Sequence, residues 1–200
     1  MTKKPKISDV KSVFAGLRPL AASKNNNEPI KEVSRHHKVT VSTSGLISVL
    51  GGKWTTYRKI AEDAIDAAIS INKLKKKKCR TEKTKLFGYK KNIDWSDHMH
   101  VYGSLKKKVE SLGGKEDNKS LSSKFYISNN IIKWSIIHEM AITLEDVLAR
   151  RTRCVFLDSN ESKKIAPGVA KKMAEILEKD QAWIDTELKN FNKLIKNYTV

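Results

Sequence analysis

The sequence is poor in cysteine and proline, with two and four among its 200 residues, and it has no long apolar run. The shortage of cysteine excludes a disulfide-stabilised scaffold and favours a reducing compartment. A membrane-spanning helix needs about 20 mostly apolar residues, so the chain has no predicted span. The charged start, Met1 to Pro5, lacks the apolar segment of a secretory signal. We therefore expect a cytoplasmic protein.

Acidic residues are also scarce: the chain has 22 acidic and 40 basic residues, which gives a formal net charge of +18. Such a charge attracts anions, whether phosphate substrates, acidic lipid or nucleic acid. Residues 73–91 contain ten basic residues and one acid. Blocks of like charge are usually solvated, and residues 73–86 of this one contain no interleaved aromatic residue on which a nucleic-acid base could stack. The run predicts a linker at 73–92 between two domains, 1–72 and 93–200.

The stretch Gly51 to Thr55 is the strongest candidate for a binding site. It follows an apolar strand pattern, Leu46 to Leu50, and precedes a helical periodicity over 54–72. A strand, a glycine pair and a helix start together leave bare backbone N–H groups, which favour an anionic or electron-rich ligand. Arg58 and Lys59 have acids four residues further on, whereas Lys53 has none, so we expect Lys53 to face a ligand. A plain strand–turn–helix connection with an exposed lysine explains the spacing equally well.

Two arginines and a histidine pair precede this stretch. Val13 to Leu17 has the pattern of a short strand that ends at Arg18 before a proline, and an arginine held there can bind phosphate or a carboxylate. A surface or structural role for Arg18 stays open. Arg35 precedes a second strand, Lys38 to Ser42, which we expect to form a hairpin with Leu46 to Leu50. His36 and His37 lack a third ligand at a suitable spacing, so we predict no metal site.

Residues 96–200 have the patterns of helices. Predicted helices cover 102–112 and 127–140, with Trp134 buried, and a capping box at Thr143 opens a third helix that continues to Arg153. Pro167 is expected near the start of a fourth helix, and Asp180 is expected to cap the last one. We interpret His138 and Glu139 as core or packing residues. The fold class is therefore α+β, with a β-rich N-terminal part and a mostly α-helical C-terminal domain.

Three segments resemble the FAD-dependent glycerol-3-phosphate dehydrogenases. They are SVFAGLRPL at 12–20, SGLISVLGGKWTTYRK at 44–59 and HEMAITLEDVLARRTR at 138–153, in the order and roughly the spacing of that family. The resemblance implies oxidation of sn-glycerol 3-phosphate to dihydroxyacetone phosphate by hydride transfer to FAD. It implies that the electrons pass on to quinone, or to oxygen in the oxidase members of the family. It implies that Arg18 and Arg35 hold the substrate phosphate. It also implies that the flavin ring is lined by Gly51, Gly52, Lys53, Trp54 and Thr55.

The chain lacks the glycine-rich dinucleotide fingerprint G-x-G-x-x-G that such a family carries near its N-terminus. We therefore expect the C-terminal part of a longer flavoenzyme, with the general base in the missing N-terminal portion. We expect this fragment alone to be inactive and not to retain FAD. The alternative is a basic nucleic-acid-binding module, although no motif for specific nucleic-acid binding is present. Contact of residues 73–91 with the acidic inner face of a membrane, and assembly into a homo-oligomer, are further expectations.

Overall fold

The computed structural model describes residues 4–17 and 36–200. Their contacts group them into two compact units. The first, the hairpin–helix unit, covers 16–86, and the second, the helical unit, combines 1–15 with 87–200. In the described part of the chain, no helix has both the length and the apolar character that crossing a bilayer requires.

The hairpin–helix unit contains the predicted β-hairpin. Strand β1 (His37–Val41) pairs antiparallel with β2 (Ile47–Gly51), and His37 lies opposite Gly51. The turn closes through a hydrogen bond from the Ser42 N–H to the Leu46 carbonyl at 2.9 Å. A 3-10 turn, Trp54–Thr56, leads into helix α1 (Tyr57–Ile71). The hairpin and the helix that follows it are therefore confirmed.

The apolar face of α1 is much less covered than its periodicity predicts. Ile60, Ala64 and Ala68 are half-buried, while Ala61 and Ile71 are exposed. The described hydrophobic residues that are fully buried all lie in the helical unit. A two-stranded hairpin covers only part of the helix packed on it, so the rest of the apolar face of the helix needs a further element to bury it. The prediction of a buried face is therefore wrong for the chain as it stands.

The helical unit contains five helices among its described residues. They are α2 (Lys106–Glu110), α3 (Asn129–Glu139), α4 (Cys154–Leu157), α5 (Ser159–Leu177) and α6 (Gln181–Ile195). A π-helical turn, Asp146–Arg151, lies between α3 and α4. The core is formed by apolar side chains that these elements contribute, among them Ile127, Ile132, Leu144, Leu148 and Met173. A two-stranded sheet followed by a helical unit confirms the α+β class.

The ends of the helices confirm two predictions and correct two. Asp180 caps α6, and Thr143 and Asp146 exchange hydrogen bonds as a capping box. The prediction that Pro167 lies near a helix start is wrong, because Pro167 lies inside α5, which begins at Ser159. Its ring is exposed, so water can reach the carbonyl left without a partner one turn earlier. The helix predicted over 102–112 is shorter, because 3-10 turns over His100–Leu105 precede α2.

The N-terminal segment belongs to the helical unit and does not form the predicted strand over 13–17. The Lys11 carbonyl accepts a hydrogen bond from the Ser159 N–H at 3.1 Å, and the Val13 N–H donates to the Tyr198 carbonyl at 3.0 Å. The ring of Phe14 packs edge-on against Phe156 at 5.1 Å. These contacts replace the neighbouring strand that a ladder would need. The domain limits 1–72, 73–92 and 93–200 stay a prediction.

Candidate functional site

The glycine pair forms a left-handed turn between β2 and the helix. Gly51 has φ 70° and Gly52 has φ 91°, a conformation that other residues rarely adopt. A Cβ on Gly52 would lie 2.7 Å from Ile60 Cδ1 and 3.1 Å from His37 Cβ. Gly52 therefore lets α1 approach the hairpin. This packing requirement is independent of any ligand, and the spacing of the motif did not reveal it.

The charged residues after the turn divide as the sequence predicts. Arg58 pairs with Glu62 at 2.6 Å, and Lys59 pairs with Asp63 at 2.9 Å. Hydrogen bonds from Lys59 and then from His37 lower the pKa of the Asp63 carboxyl. Lys53 is exposed, and no described carboxylate forms an ion pair with it. The described structure thus leaves the Lys53 ammonium available to a ligand.

The start of the helix is open on its surface. Thr56, at the N-cap of α1, makes no side-chain cap, because its hydroxyl donates to the Lys53 carbonyl at 2.9 Å. Trp54 is 88% exposed and lies 6.0 Å from the ring of Tyr57. A cation and an aromatic face therefore lie together beside two glycines on one accessible turn. Such a set suits a planar, electron-rich ligand.

The predicted site residues are only partly described. Gly51, Gly52, Lys53, Trp54 and Thr55 form one continuous turn, which is exposed apart from a half-buried Gly52. Arg18 and Arg35 lie outside the described residues. The prediction that these two arginines hold the substrate phosphate stays a prediction.

His138 and Glu139 are packing residues, as predicted, but they are not part of the core. His138 is exposed, and its ring lies 4.1 Å from that of Trp134, which is buried as predicted. The Trp134 Nε1–H donates to Glu139 Oε1 at 3.0 Å. Both residues line a cavity of about 570 Å³ in the helical unit, which the sequence did not indicate. The pattern gave no sign of it because the walls come from distant segments.

A second concavity, of about 530 Å³, lies along α1 within the hairpin–helix unit. Its apolar lining includes Ala61, Ile65, Ile69 and Leu86. Cys79 is exposed at its edge, 3.0 Å from the Thr81 hydroxyl. Part of the predicted linker therefore folds beside α1.

Comparison with known proteins gives the family. Residues 47–184 match the family model described as the C-terminal domain of alpha-glycerophosphate oxidase. The chain belongs to this family. The match covers more than half of the chain and includes the whole turn from Gly51 to Thr55, whereas Arg18 and Arg35 precede it. The family is one of oxidoreductases, and the match does not favour the alternative of a nucleic-acid-binding module.

Relatives of this chain are named glycerol-3-phosphate dehydrogenases. The mitochondrial enzyme of Mesocricetus auratus is 31% identical over 212 residues, which are 94% of this chain and 28% of that protein. A probable mitochondrial enzyme of Dictyostelium discoideum is 31% identical, over 96% of this chain and 34% of its own length. Glycerol-3-phosphate dehydrogenase 2 of Mycobacterium bovis is 32% identical, over 92% and 34%. The chain thus spans about a third of the length of these relatives.

Proposed function

We propose that the chain is the C-terminal part of an FAD-dependent glycerol-3-phosphate dehydrogenase. The proposed reaction oxidises sn-glycerol 3-phosphate to dihydroxyacetone phosphate. The observation that carries the proposal is the family match over 47–184, since it includes the exposed turn at Gly51 to Thr55. The names of the relatives supply the proposed substrate.

The turn fits a flavin ring. Gly51 and Gly52 present backbone without side chains, and Lys53, Trp54 and Thr55 are exposed beside them. When bound, FAD would accept the hydride that leaves C2 of the substrate. Lys53 would supply a positive charge where negative charge collects, an arrangement that lowers a barrier because the charge is already in place. We assign Arg18 and Arg35 to the substrate phosphate on the resemblance alone.

The surface around the turn supports a larger enzyme. Leu50 is 52% exposed, Tyr57 is 50% exposed and Trp54 is 88% exposed. Exposed apolar side chains that lie close together usually mark a contact surface. We propose that the rest of the enzyme covers this surface and completes the flavin site. On this proposal the 200-residue chain alone neither retains FAD nor turns over glycerol 3-phosphate.

The test of the proposal is a comparison of three variants in the full-length enzyme. Lys53→Ala should lower kcat by about 100- to 1,000-fold, the usual cost of removing one group that stabilises developing charge. Lys53→Arg should retain part of the activity. The control, Arg150→Ala, removes a surface cation that pairs with Glu145 at 2.6 Å and with Asp146 at 2.7 Å, and it should leave kcat nearly unchanged.

The measurements are dye reduction that depends on glycerol 3-phosphate and the flavin absorbance of the purified enzyme. A colourless full-length protein would refute the flavin assignment. If Arg150→Ala reduced turnover more than Lys53→Ala, the site would be misplaced.

We also propose partners beyond the substrate. Quinone is the proposed electron acceptor, and Lys75, Lys76, Lys77 and Lys78, all exposed, provide a basic contact for an acidic membrane surface. We further propose a cytoplasmic enzyme at the inner face of that membrane, assembled as a homo-oligomer. The names of two relatives place those proteins in mitochondria.

A further inference from the structure

The cavity in the helical unit has an apolar body and a polar rim. Val101, Tyr102, Leu105 and Trp134 contribute apolar and aromatic surface, and Glu139 and Arg151 contribute opposite charges. Its volume, about 570 Å³, is in the range of pockets that bind small molecules.

One wall of the cavity is fixed by a close contact between two glycines. The Ser104 N–H donates to the Gly88 carbonyl at 3.0 Å. A Cβ on Gly103, which has φ 52°, would lie 2.1 Å from the same carbonyl oxygen. Only glycine fits there, so the backbone that carries Tyr102 is held against the segment at Gly88. The position of this wall therefore depends on the backbone contact as well as on the side chains that line the cavity.

Glu139 places a carboxylate at the cavity that has no ion-pair partner within the described chain. It is half-buried, and one oxygen accepts the Trp134 Nε1–H at 3.0 Å. No lysine or arginine of the described chain forms an ion pair with it. Burial and then the charge of Glu139 raise the pKa of the nearby Tyr102 hydroxyl, so that group stays neutral. A half-buried carboxylate with a free oxygen is stabilised by a cationic ligand.

Arg151 brings the opposite charge to the same rim. Its Nε and Nη2 donate to the Glu139 backbone carbonyl at 2.8 and 2.6 Å. This contact caps the C-terminus of α3 and fixes the guanidinium. Within the described chain, Nη1 has no acceptor. The guanidinium is thus held at the backbone carbonyl of Glu139, whereas the carboxylate lies at the end of the Glu139 side chain. The two charges therefore border one cavity without forming an ion pair with each other.

We propose that this cavity binds a small zwitterion with an apolar body, namely an α-amino acid with an apolar or aromatic side chain. Its ammonium group pairs with the Glu139 carboxylate, its carboxylate accepts hydrogen bonds from Arg151 Nη1, and its side chain packs among Val101, Leu105 and Tyr102. A ligand with only one charge would leave one rim group unpaired. This inference is independent of the proposed dehydrogenase activity, because both charges and the cavity lie in the helical unit.

The experiment is isothermal titration calorimetry on the 200-residue chain with three matched probes. L-Phenylalanine carries both charges, 2-phenylethylamine lacks the carboxylate, and 3-phenylpropanoate lacks the ammonium group. L-Phenylalanine should bind at least about tenfold more tightly than either of the others, since each charged contact is worth a tenfold change or more. A fourth probe, O-phosphoethanolamine, tests a zwitterionic lipid headgroup in place of an amino acid.

Glu139→Gln is the decisive variant, because the amide oxygen can still accept the Trp134 Nε1–H while the charge is lost. It should weaken L-phenylalanine binding by about tenfold, and it should weaken binding of the cationic 2-phenylethylamine more than binding of 3-phenylpropanoate. The control, Glu175→Gln, removes an exposed carboxylate that pairs with Lys172 at 2.9 Å, and it should not change binding. Circular dichroism of each variant verifies that the fold is retained.

Three outcomes would overturn the proposal. Absence of L-phenylalanine binding would show that the cavity is not an amino-acid site. Equal binding of the three phenyl probes would show that the charges do not select a zwitterion. Tighter binding of O-phosphoethanolamine than of L-phenylalanine would assign the charges to a headgroup.

Discussion

The cap of α5 allows a quantitative test of the helical unit. Asp158 Oδ1 accepts the Glu161 N–H at 2.9 Å, and Oδ2 accepts from Lys124 Nζ at 2.7 Å, with only 7% of the side chain exposed. Asp180 caps α6 with the same geometry, accepting the Trp183 N–H at 2.9 Å, but it is exposed. In the described chain Asp180 has no ion pair. The two residues therefore differ mainly in burial and in the lysine contact.

This difference sets the expected magnitudes. Asp180→Ala removes a cap and should lower the free energy of unfolding by about 1 kcal/mol. Asp158→Ala removes a cap and also a charge-assisted hydrogen bond at a buried position, so it should cost about 3 kcal/mol. Urea unfolding of the 200-residue chain, followed by far-UV circular dichroism, measures both values. An equal cost for the two variants would refute the argument that burial and Lys124 strengthen the first cap.

The same carboxyl predicts a pH dependence. Burial raises the pKa of Asp158, but hydrogen bonds from Lys124 and from the Glu161 N–H outweigh burial and bring the pKa below its ordinary value. The stabilisation is therefore fully present above the unfolded pKa of about 3.9 and is lost as the pH falls through the folded pKa. Asp158→Asn should reduce the loss of stability below about pH 4. A wild-type chain whose stability did not fall in that range would contradict the assignment.

Three further predictions follow from single features. Gly52→Ala should destabilise the hairpin–helix unit by about 2 kcal/mol, because the new Cβ would lie 2.7 Å from Ile60 Cδ1 in a left-handed turn. The measurement is the rate of proteolysis within residues 36–86, which should increase. At Gly168, inside α5, an added Cβ would meet no atom of a neighbouring residue within 4 Å. Gly168→Ala should therefore stabilise α5 by about 0.5–1 kcal/mol, measured by urea unfolding. Replacing Lys75 to Lys78 with glutamine should reduce pelleting with vesicles rich in phosphatidylglycerol, and unchanged pelleting would exclude this run as the contact.

Local features of the fold could be predicted well from the sequence. The hairpin, the start of α1, the capping box at Thr143 and the cap at Asp180 each depend on residues only a few positions apart. The pairs of Arg58 with Glu62 and of Lys59 with Asp63 follow from helical spacing in the same way. Such features are decided by short-range chemistry, which a single sequence contains.

Features that depend on distant segments could not be predicted. The Ser12 hydroxyl donates to the Tyr198 carbonyl, 186 residues away, and no periodicity indicates such a contact. The cavity at Glu139 depends on the close contact between Gly88 and Gly103, and no motif around either glycine indicates that contact. The need for glycine at position 52 likewise comes from Ile60, on the following helix. In the turn, close approach of a ligand and close packing of α1 each require glycine, so the motif alone could not separate the two.

The periodicity of α1 shows what an amphipathic pattern can and cannot decide. The pattern predicts that a face becomes buried, but it does not specify which surface buries it. In this chain that face is half-exposed, and the groove beside it is lined by Ala61, Ile65 and Ile69. The helical unit, by contrast, buries its own apolar side chains in a continuous core. Relatives with the same segment are about three times as long, and on the proposal that this chain is part of such an enzyme, the exposed face of α1 would be a contact surface for the remainder. The glycine–lysine turn at the start of α1 would then lie at the edge of that contact, where a flavin supplied by the remainder would meet Lys53.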